Sequence, residues 1–309
     1  MRKGVFIFFL FPALLWAQDI HFTQWMHNAL FSNPAQSGFF EGTYRIHAQQ
    51  RSQWASVSRP YTTTSLGMDM LVKNIGLGGQ LLLDKAGTSR LRNTQFTVSG
   101  AYEMAGWRGG LQLGFVNRGI DYSDLQFPDQ NESIPSVSKS YVDLGLGVLK
   151  SLQLTQDKVV QLGLAMHHLN RPNTSFSNFK DPLPMRHQVQ AQMQWELSEY
   201  WELLPSLRYQ QQSSSREMQW GTHVALDLSD YYQKEIEWMG GALFRWGDAA
   251  SILLGAQIEN SRIAFTYDWN LSDLVPASNG LGAWEISFTH ILKQQIPKRP
   301  AYKVCPVYL

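Results

Sequence analysis

The sequence predicts an all-β chain: a closed transmembrane β-barrel of about fourteen strands, preceded by a leader and a short N-terminal amphipathic helix. Three observations carry that prediction. Apolar residues recur at every second position from Thr43 to the region of Lys293, the alternating segments are long, and tryptophans gather near their ends.

The chain opens with "MRKGVFIFFLFPALLWAQ". Arg2 and Lys3 make a positive start, Gly4 to Trp16 an apolar stretch, and Ala17 a small residue for cleavage before Gln18. The apolar part is shorter than the roughly 20 residues a spanning helix needs. Residues 1–17 are therefore expected to be a signal peptide, with no cysteine at the cleavage site to carry a lipid.

The next segment, residues 18–42, does not alternate. Phe22, Trp25, Met26, Ala29 and Leu30 fall at i, i+3, i+4, i+7 and i+8, the stripe of one helix face. Asp19 offers a cap and Asn33 before Pro34 a stop, because a residue preceding proline is steered out of the helical region. A helix about 18 Å long follows at 1.5 Å per residue. On the periplasmic side it could plug the lumen, lie on the inner rim or meet a partner.

From residue 43 to 293 the period is 2. In "RHQVQAQMQWELS", His187, Val189, Ala191, Met193, Trp195 and Leu197 share one face, and Arg186, Gln188, Gln190, Gln192, Gln194 and Glu196 the other. "TYRIHAQQ", "EMQWGTHVALDL" and "RIAFTYDWN" repeat the pattern. The expected strands are 43–54, 61–71, 75–85, 91–104, 107–118, 141–150, 158–168, 186–198, 201–211, 217–228, 236–246, 250–259, 261–270 and 281–293. Segments of about 9–13 residues suit tilted membrane strands, whereas sandwich strands run to about 5–6. Connections alternate too: tight at 105–106, 199–200 and near Asn260, long at 119–140 and 169–185. Short periplasmic turns and long extracellular loops give that asymmetry. Nine tryptophans sit on the apolar face near strand ends: Trp107, Trp195, Trp201 and Trp238 at one rim, Trp54, Trp220, Trp246, Trp269 and Trp284 at the other. An indole settles where hydrocarbon meets headgroups. Pro205 resists the scheme, since it removes a ladder donor from strand nine, and a bulge is expected there.

Without Arg2 and Lys3, 24 basic residues face 25 acids, a net charge of −1 that argues against nucleic acid as a partner. The single cysteine, Cys305, leaves no internal disulfide. The chain contains no HExxH, GxSxG, Gly-Lys-Ser/Thr or CxxC motif, so no enzyme chemistry, metal or cofactor is expected. His167 and His168, adjacent in a strand, should point to opposite faces, and His21 and His27 read as polar surface residues. Lumen residues Arg45, Arg108, Gln190, Arg208 and Asp227 either form a polar path or pair and close it. The tail 294–309 carries Lys298, Arg299 and Lys303 with no acid, a basic periplasmic end that could dock on an acidic partner or simply be solvated.

Several blocks resemble the PorP/SprF family of Bacteroidota. The first comprises Gln18, Asp19, Phe22, Thr23, Gln24, Trp25, Met26, Asn28, Leu30, Phe31, Asn33, Pro34, Ala35 and Gly38. Arg51, Gln53 and Trp54 match its Arg-x-Gln-Trp, Gly76, Gly78, Asp84 and Lys85 its third-strand motif, and Glu285, Ile286 and Ser287 its last strand. Cys305 and Pro306 resemble its closing Cys-Pro, although Val307 and Tyr308 follow where a basic and then an aromatic residue are usual. The resemblance implies an outer-membrane protein of the type IX secretion and gliding machinery. Its implied partners are secreted adhesins with a C-terminal sorting domain, secretion-ring components and a peptidoglycan-binding lipoprotein. The expected function is to bind and anchor secreted surface proteins or to dock periplasmic secretion-ring components, with a FadL-like channel or transporter for small hydrophobic molecules as the alternative. Candidate partner-binding residues are Phe22, Gln24, Trp25, Asn28, Asn33 and Pro34 in the first segment; Asp121, Asp124 and Phe127 in one long loop; Phe176 and Phe179 in the other; and Lys298, Arg299 and Cys305 in the tail.

Overall fold

The computed structural model describes residues 19–55, 59–87, 91–120, 136–232, 234–272 and 275–293. The signal peptide, Asp121, Asp124, Phe127, Lys298, Arg299 and Cys305 lie outside the described residues.

Fourteen antiparallel strands close into one barrel in which each strand pairs with its sequence neighbours and the last with the first. They are β1 (Tyr44–Gln53), β2 (Tyr61–Val72), β3 (Ile75–Ala86), β4 (Leu91–Met104), β5 (Trp107–Ile120), β6 (Val137–Thr155), β7 (Lys158–His167), β8 (Arg186–Glu196), β9 (Trp201–Gln212), β10 (Ser215–Asp227), β11 (Ile236–Arg245), β12 (Ala249–Ile258), β13 (Ser261–Asn270) and β14 (Leu281–Leu292). Tyr44 faces Leu292 across the closing seam, so both ends of the barrel chain lie at one rim. The turns 73–74, 105–106, 156–157 and 259–260 share that rim, hereafter the turn end. At the opposite end, hereafter the loop end, β5 is followed by β6, β7 by β8 and β13 by β14.

Burial is inverted relative to a water-soluble domain. Leu111 is 70% exposed, Leu254 60% and Phe115 55%, while Arg51 is 1% exposed and Glu285 0%. Apolar side chains standing out all round a closed sheet form a lipid-facing band, and the alternate positions line a polar lumen. At the turn end the Lys150 ammonium lies 5.1 Å from the centre of the Trp107 ring and that of Lys158 4.3 Å from Trp195. These cation–π pairs sit where charged heads and indoles both favour the headgroup layer.

Pro205 raises no bulge. Strand β9 pairs with β8 in one unbroken register, Gln192 opposite Ser206 and Trp195 opposite Leu203, and the ladder simply opens for the two positions between. The missing donor costs one short gap, and on its other side Pro205 still stands opposite Thr222.

The opening segment is not one continuous helix. It breaks into a 3-10 turn (Trp25–His27), a short helix α1 (Ala29–Ser32) and a second 3-10 turn (Pro34–Gln36). Asn28 caps α1 by accepting from the Phe31 amide, and Asn33 caps the turn after it by accepting from the Ala35 amide. Asn28, which the stripe placed inside a helix, therefore divides it, and Asn33 ends α1 as expected. Asp19 caps nothing and is engaged elsewhere.

A lumen plug and an outer vestibule

Residues 19–43 run through the lumen from one end to the other. Asp19 stands near the loop end among His168, Arg186 and Gln212. Thr43 meets Leu292 at the turn end. Between them, Phe22, Thr23, Gln24, Trp25, Asn28, Leu30, Ser32, Asn33, Ala35 and Ser37 are all buried. Strands β1–β11, β13 and β14 each make at least one hydrogen bond to this segment. It is held as a plug, and the strands read its backbone with side chains. Gln219 donates to the Thr23 carbonyl (2.6 Å), Gln188 to that of Ser32 (2.9 Å), and Arg108 to those of Ala35 (3.1 Å) and Ser37 (2.7 Å). Asp69 accepts from the Gly38 amide at 2.7 Å, and Asn33 donates to the carbonyls of Val148 and Leu164. An irregular segment buried in a lumen needs partners for its backbone groups, and these side chains supply them for Thr23, Ser32, Ala35, Ser37 and Gly38.

The tightest point is a charge cluster around Thr23. Glu285 accepts from the amides of Thr23 and Gln24, both at 2.8 Å, and from the Gln49 side chain at 2.6 Å. Arg51 bridges Glu285 (3.0 Å) and Asp268 (2.8 Å), and Arg245 joins Asp268 at 3.2 Å. Arg245 also pairs with Asp248 beside it. The Thr23 hydroxyl donates to Asp268 at 2.9 Å and accepts from Arg51 at 2.6 Å. Burying two guanidiniums with two carboxylates is tolerable because each charge has an opposite partner and the plug uses the remaining lone pairs.

A second contact holds Asp19. The His168 imidazole donates through Nε2 to Asp19 (2.6 Å) and through Nδ1 to Asp143 (2.9 Å), and Arg186 lies 3.3 Å from the same Asp19 carboxylate. Burial alone would lower the imidazole pKa, but Asp19 and Asp143 outweigh it and raise it to about 9. The Asp19 carboxyl, which burial would raise, is held well below its ordinary value by His168 and Arg186.

Above the plug lies a cavity of about 1020 Å³ open to the loop end. Asp19, His21 and Phe31 help form its floor; Asn93, Gln95 and Thr97 of β4 and Gln112 and Arg118 of β5 stand on one wall. Trp54 and Tyr61, in edge contact at 4.8 Å between centroids, also line it.

Of the sequence candidates, Phe22, Gln24, Trp25, Asn28, Asn33 and Pro34 are placed inside the barrel against strands. Phe179 stands free at the loop end, 82% exposed, and Phe176 lies 5.8 Å from the Arg118 guanidinium. His21 and His27 are not surface residues. His21 approaches Gln53 and Arg51, and His27 bonds Gln24 and Ser287. His167 and His168 do not take opposite faces either. His168 follows the end of β7 with a φ of 60°, which turns its ring back so that both line the cavity. The five polar lumen residues are engaged: Arg45 with Asp69, Arg108 with Glu103, Arg208 with Glu217, Gln190 with Gln188 and Asp227 with Ser229. Asp268, Arg245, Gln219 and Gln188, which hold the plug, were legible only as lumen-facing by parity. No group of three or more potential metal ligands occurs among the described residues.

The profile of the type IX secretion system membrane protein PorP/SprF family matches residues 15–290. The chain belongs to the PorP/SprF family. Its match covers the plug, the first thirteen strands and all but the last two residues of β14, including Thr23, Arg51 and Glu285 at the charge cluster. No curated protein matches the chain. The fold is similar to the toluene transporter TodX of Pseudomonas putida, with TM-score 0.53, 10% identity, and 87% of this chain and 95% of that one covered. It is likewise similar to the toluene transporter TbuX of Ralstonia pickettii, with TM-score 0.53, 11% identity, and coverage of 86% and 94%. At such identity the likeness shows the fold alone. Family and fold together make this PorP/SprF chain an outer-membrane β-barrel of the type IX secretion system. The turn end accordingly faces the periplasm and the loop end the exterior.

Proposed function

We propose that this barrel works by binding rather than by catalysis or transport. It anchors exported proteins, such as adhesins with a C-terminal sorting domain, at the cell surface, and docks secretion-ring components and a peptidoglycan-binding lipoprotein at its periplasmic rim. The observation that carries the reading is the plug. A segment hydrogen-bonded to thirteen of the fourteen strands leaves a rigid scaffold with an open cavity facing outward. Loops on such a scaffold are suited to recognition, and Phe179 offers an exposed aromatic anchor there.

The alternative, a channel for small hydrophobic molecules, is supported by the likeness in fold to the two toluene transporters. The lumen chemistry opposes it, because Arg51, Arg186, Arg245 and Asp268 line the cavity where an apolar solute would have to pass. The deciding experiment is purification of the barrel from detergent-solubilised outer membrane, with mass spectrometry of what remains bound after a salt wash. A stoichiometric exported protein with a sorting domain, or ring components, is expected. A bare barrel that conducts in planar bilayers would transfer the assignment to the channel.

A further inference from the structure

The β4–β5 wall of the vestibule bears polar side chains that the plug does not use. Asn93, Gln95 and Thr97 follow one another at every second residue of β4, all facing the cavity, with Gln112 beside them on β5. The Asn93 side-chain carbonyl oxygen is buried and, among the described residues, has no hydrogen-bond partner. The same cavity is lined by Arg186 and His167, 5% and 4% exposed, whose Nε and Nε2 atoms likewise lack partners. Lower in the lumen, glutamines hold an irregular chain by its backbone: Gln49, Gln188 and Gln219 donate to the carbonyls of Gln24, Ser32 and Thr23.

From this we infer that the β4–β5 wall of the outer vestibule is a docking site for an extended peptide segment of the exported partner. The inference rests on the binding function proposed above and names the place and the chemistry. Side chains at every second residue of a strand repeat at about 6.8 Å, which is also the repeat of backbone groups along one edge of an extended peptide. Amides carry both a donor and an acceptor and so read peptide groups without regard to sequence. The wall continues, above the plug, the side-chain-to-backbone recognition that seats the plug below. The Trp54–Tyr61 pair at the cavity rim supplies an apolar contact for one of the peptide's side chains.

Photo-crosslinking in cells tests the site, with p-benzoylphenylalanine placed in the full-length chain at Gln95, at Gln112 and, as a lipid-facing control, at Leu113. The expected result is that adducts at Gln95 and Gln112, absent at Leu113, fragment to one short stretch of the same exported protein. A synthetic peptide of that stretch should bind the purified barrel, about tenfold or more weaker when Asn93→Ala, Gln95→Ala and Gln112→Ala are combined, as loss of two or three hydrogen bonds implies. Retained heat-modifiable migration on gels shows that the triple variant still folds. A glycan, a lipid, another segment of the same chain, or no adduct above the control overturns the site. If the exported protein co-purifies equally with the triple variant, the site falls while the anchoring function stands. If it co-purifies with neither, anchoring itself falls.

Discussion

Arg51 serves two carboxylates at once, 2.8 Å from Asp268 and 3.0 Å from Glu285, with only 1% of its side chain exposed. Removing it leaves Glu285 buried with no cationic partner among the described residues, and Asp268 with Arg245 alone. Arg51→Ala is therefore expected to destabilise the barrel by about 3–5 kcal/mol, the usual cost of breaking a buried pair from one side. Urea unfolding in detergent, followed by tryptophan fluorescence, reads this as a lower midpoint at unchanged slope. His168 makes a pH-dependent contribution. Its folded pKa of about 9 lies above the ordinary imidazole value of 6.5, so its stabilisation is complete below about pH 6.5 and is lost as the pH rises through 9. Asp19 is shifted the other way, so its share is present above the ordinary carboxyl range and lost only in acid. Hydrogen exchange across residues 19–24, corrected for intrinsic rates, should accelerate between about pH 6.5 and 9.5. In His168→Gln that acceleration should disappear; an unchanged pH profile would refute the role given to His168.

At the scale of elements, the plug and the strands fit because glycines let backbones approach. A Cβ on Gly76 would lie 1.8 Å from the Ser37 carbonyl oxygen, and one on Gly110 2.4 Å from the Pro34 carbonyl carbon. Neither neighbour is a flexible side-chain tip, so the backbone of the plug itself must move. Gly76→Ala combined with Gly110→Ala is expected to loosen residues 34–38 and convert a silent barrel into a conducting one in planar bilayers. Conductance equal to wild type would show that the plug tolerates the displacement. The amphipathic stripe of this segment is legible in the sequence, and so is its stop at Asn33. Its breakage is not, because Asn28 falls within the stripe's span; it caps α1 locally by accepting from the Phe31 amide, while Ser65 and Gln80 across the lumen hold its side chain in place. The strands are more transparent: 91–104 and 261–270 are legible to the residue, and only β6 exceeds its expected span by several residues at each end.

For the molecule as a whole, the inverted burial makes a clear prediction. Leu254, 60% exposed near the middle of β12, faces hydrocarbon, so Leu254→Arg should cost about 2–4 kcal/mol. Refolding into lipid vesicles with urea titration measures it, and a near-neutral effect would place that face in water. Alternation, read with the length of the segments and the tryptophans at their ends, determined the strand count, which face meets lipid and which residues enter the lumen, because a side chain's side of a sheet depends only on parity. Tertiary structure decided what parity leaves open: that the first segment threads the lumen, that Thr23 meets Arg51, Asp268 and Glu285, that His168 turns back to hold Asp19, and that among the described residues the plug leaves the β4–β5 wall of the cavity unused. Residues 23, 51, 268 and 285 are brought together only when β14 closes on β1, and no local pattern in the chain can encode a distance that closure sets.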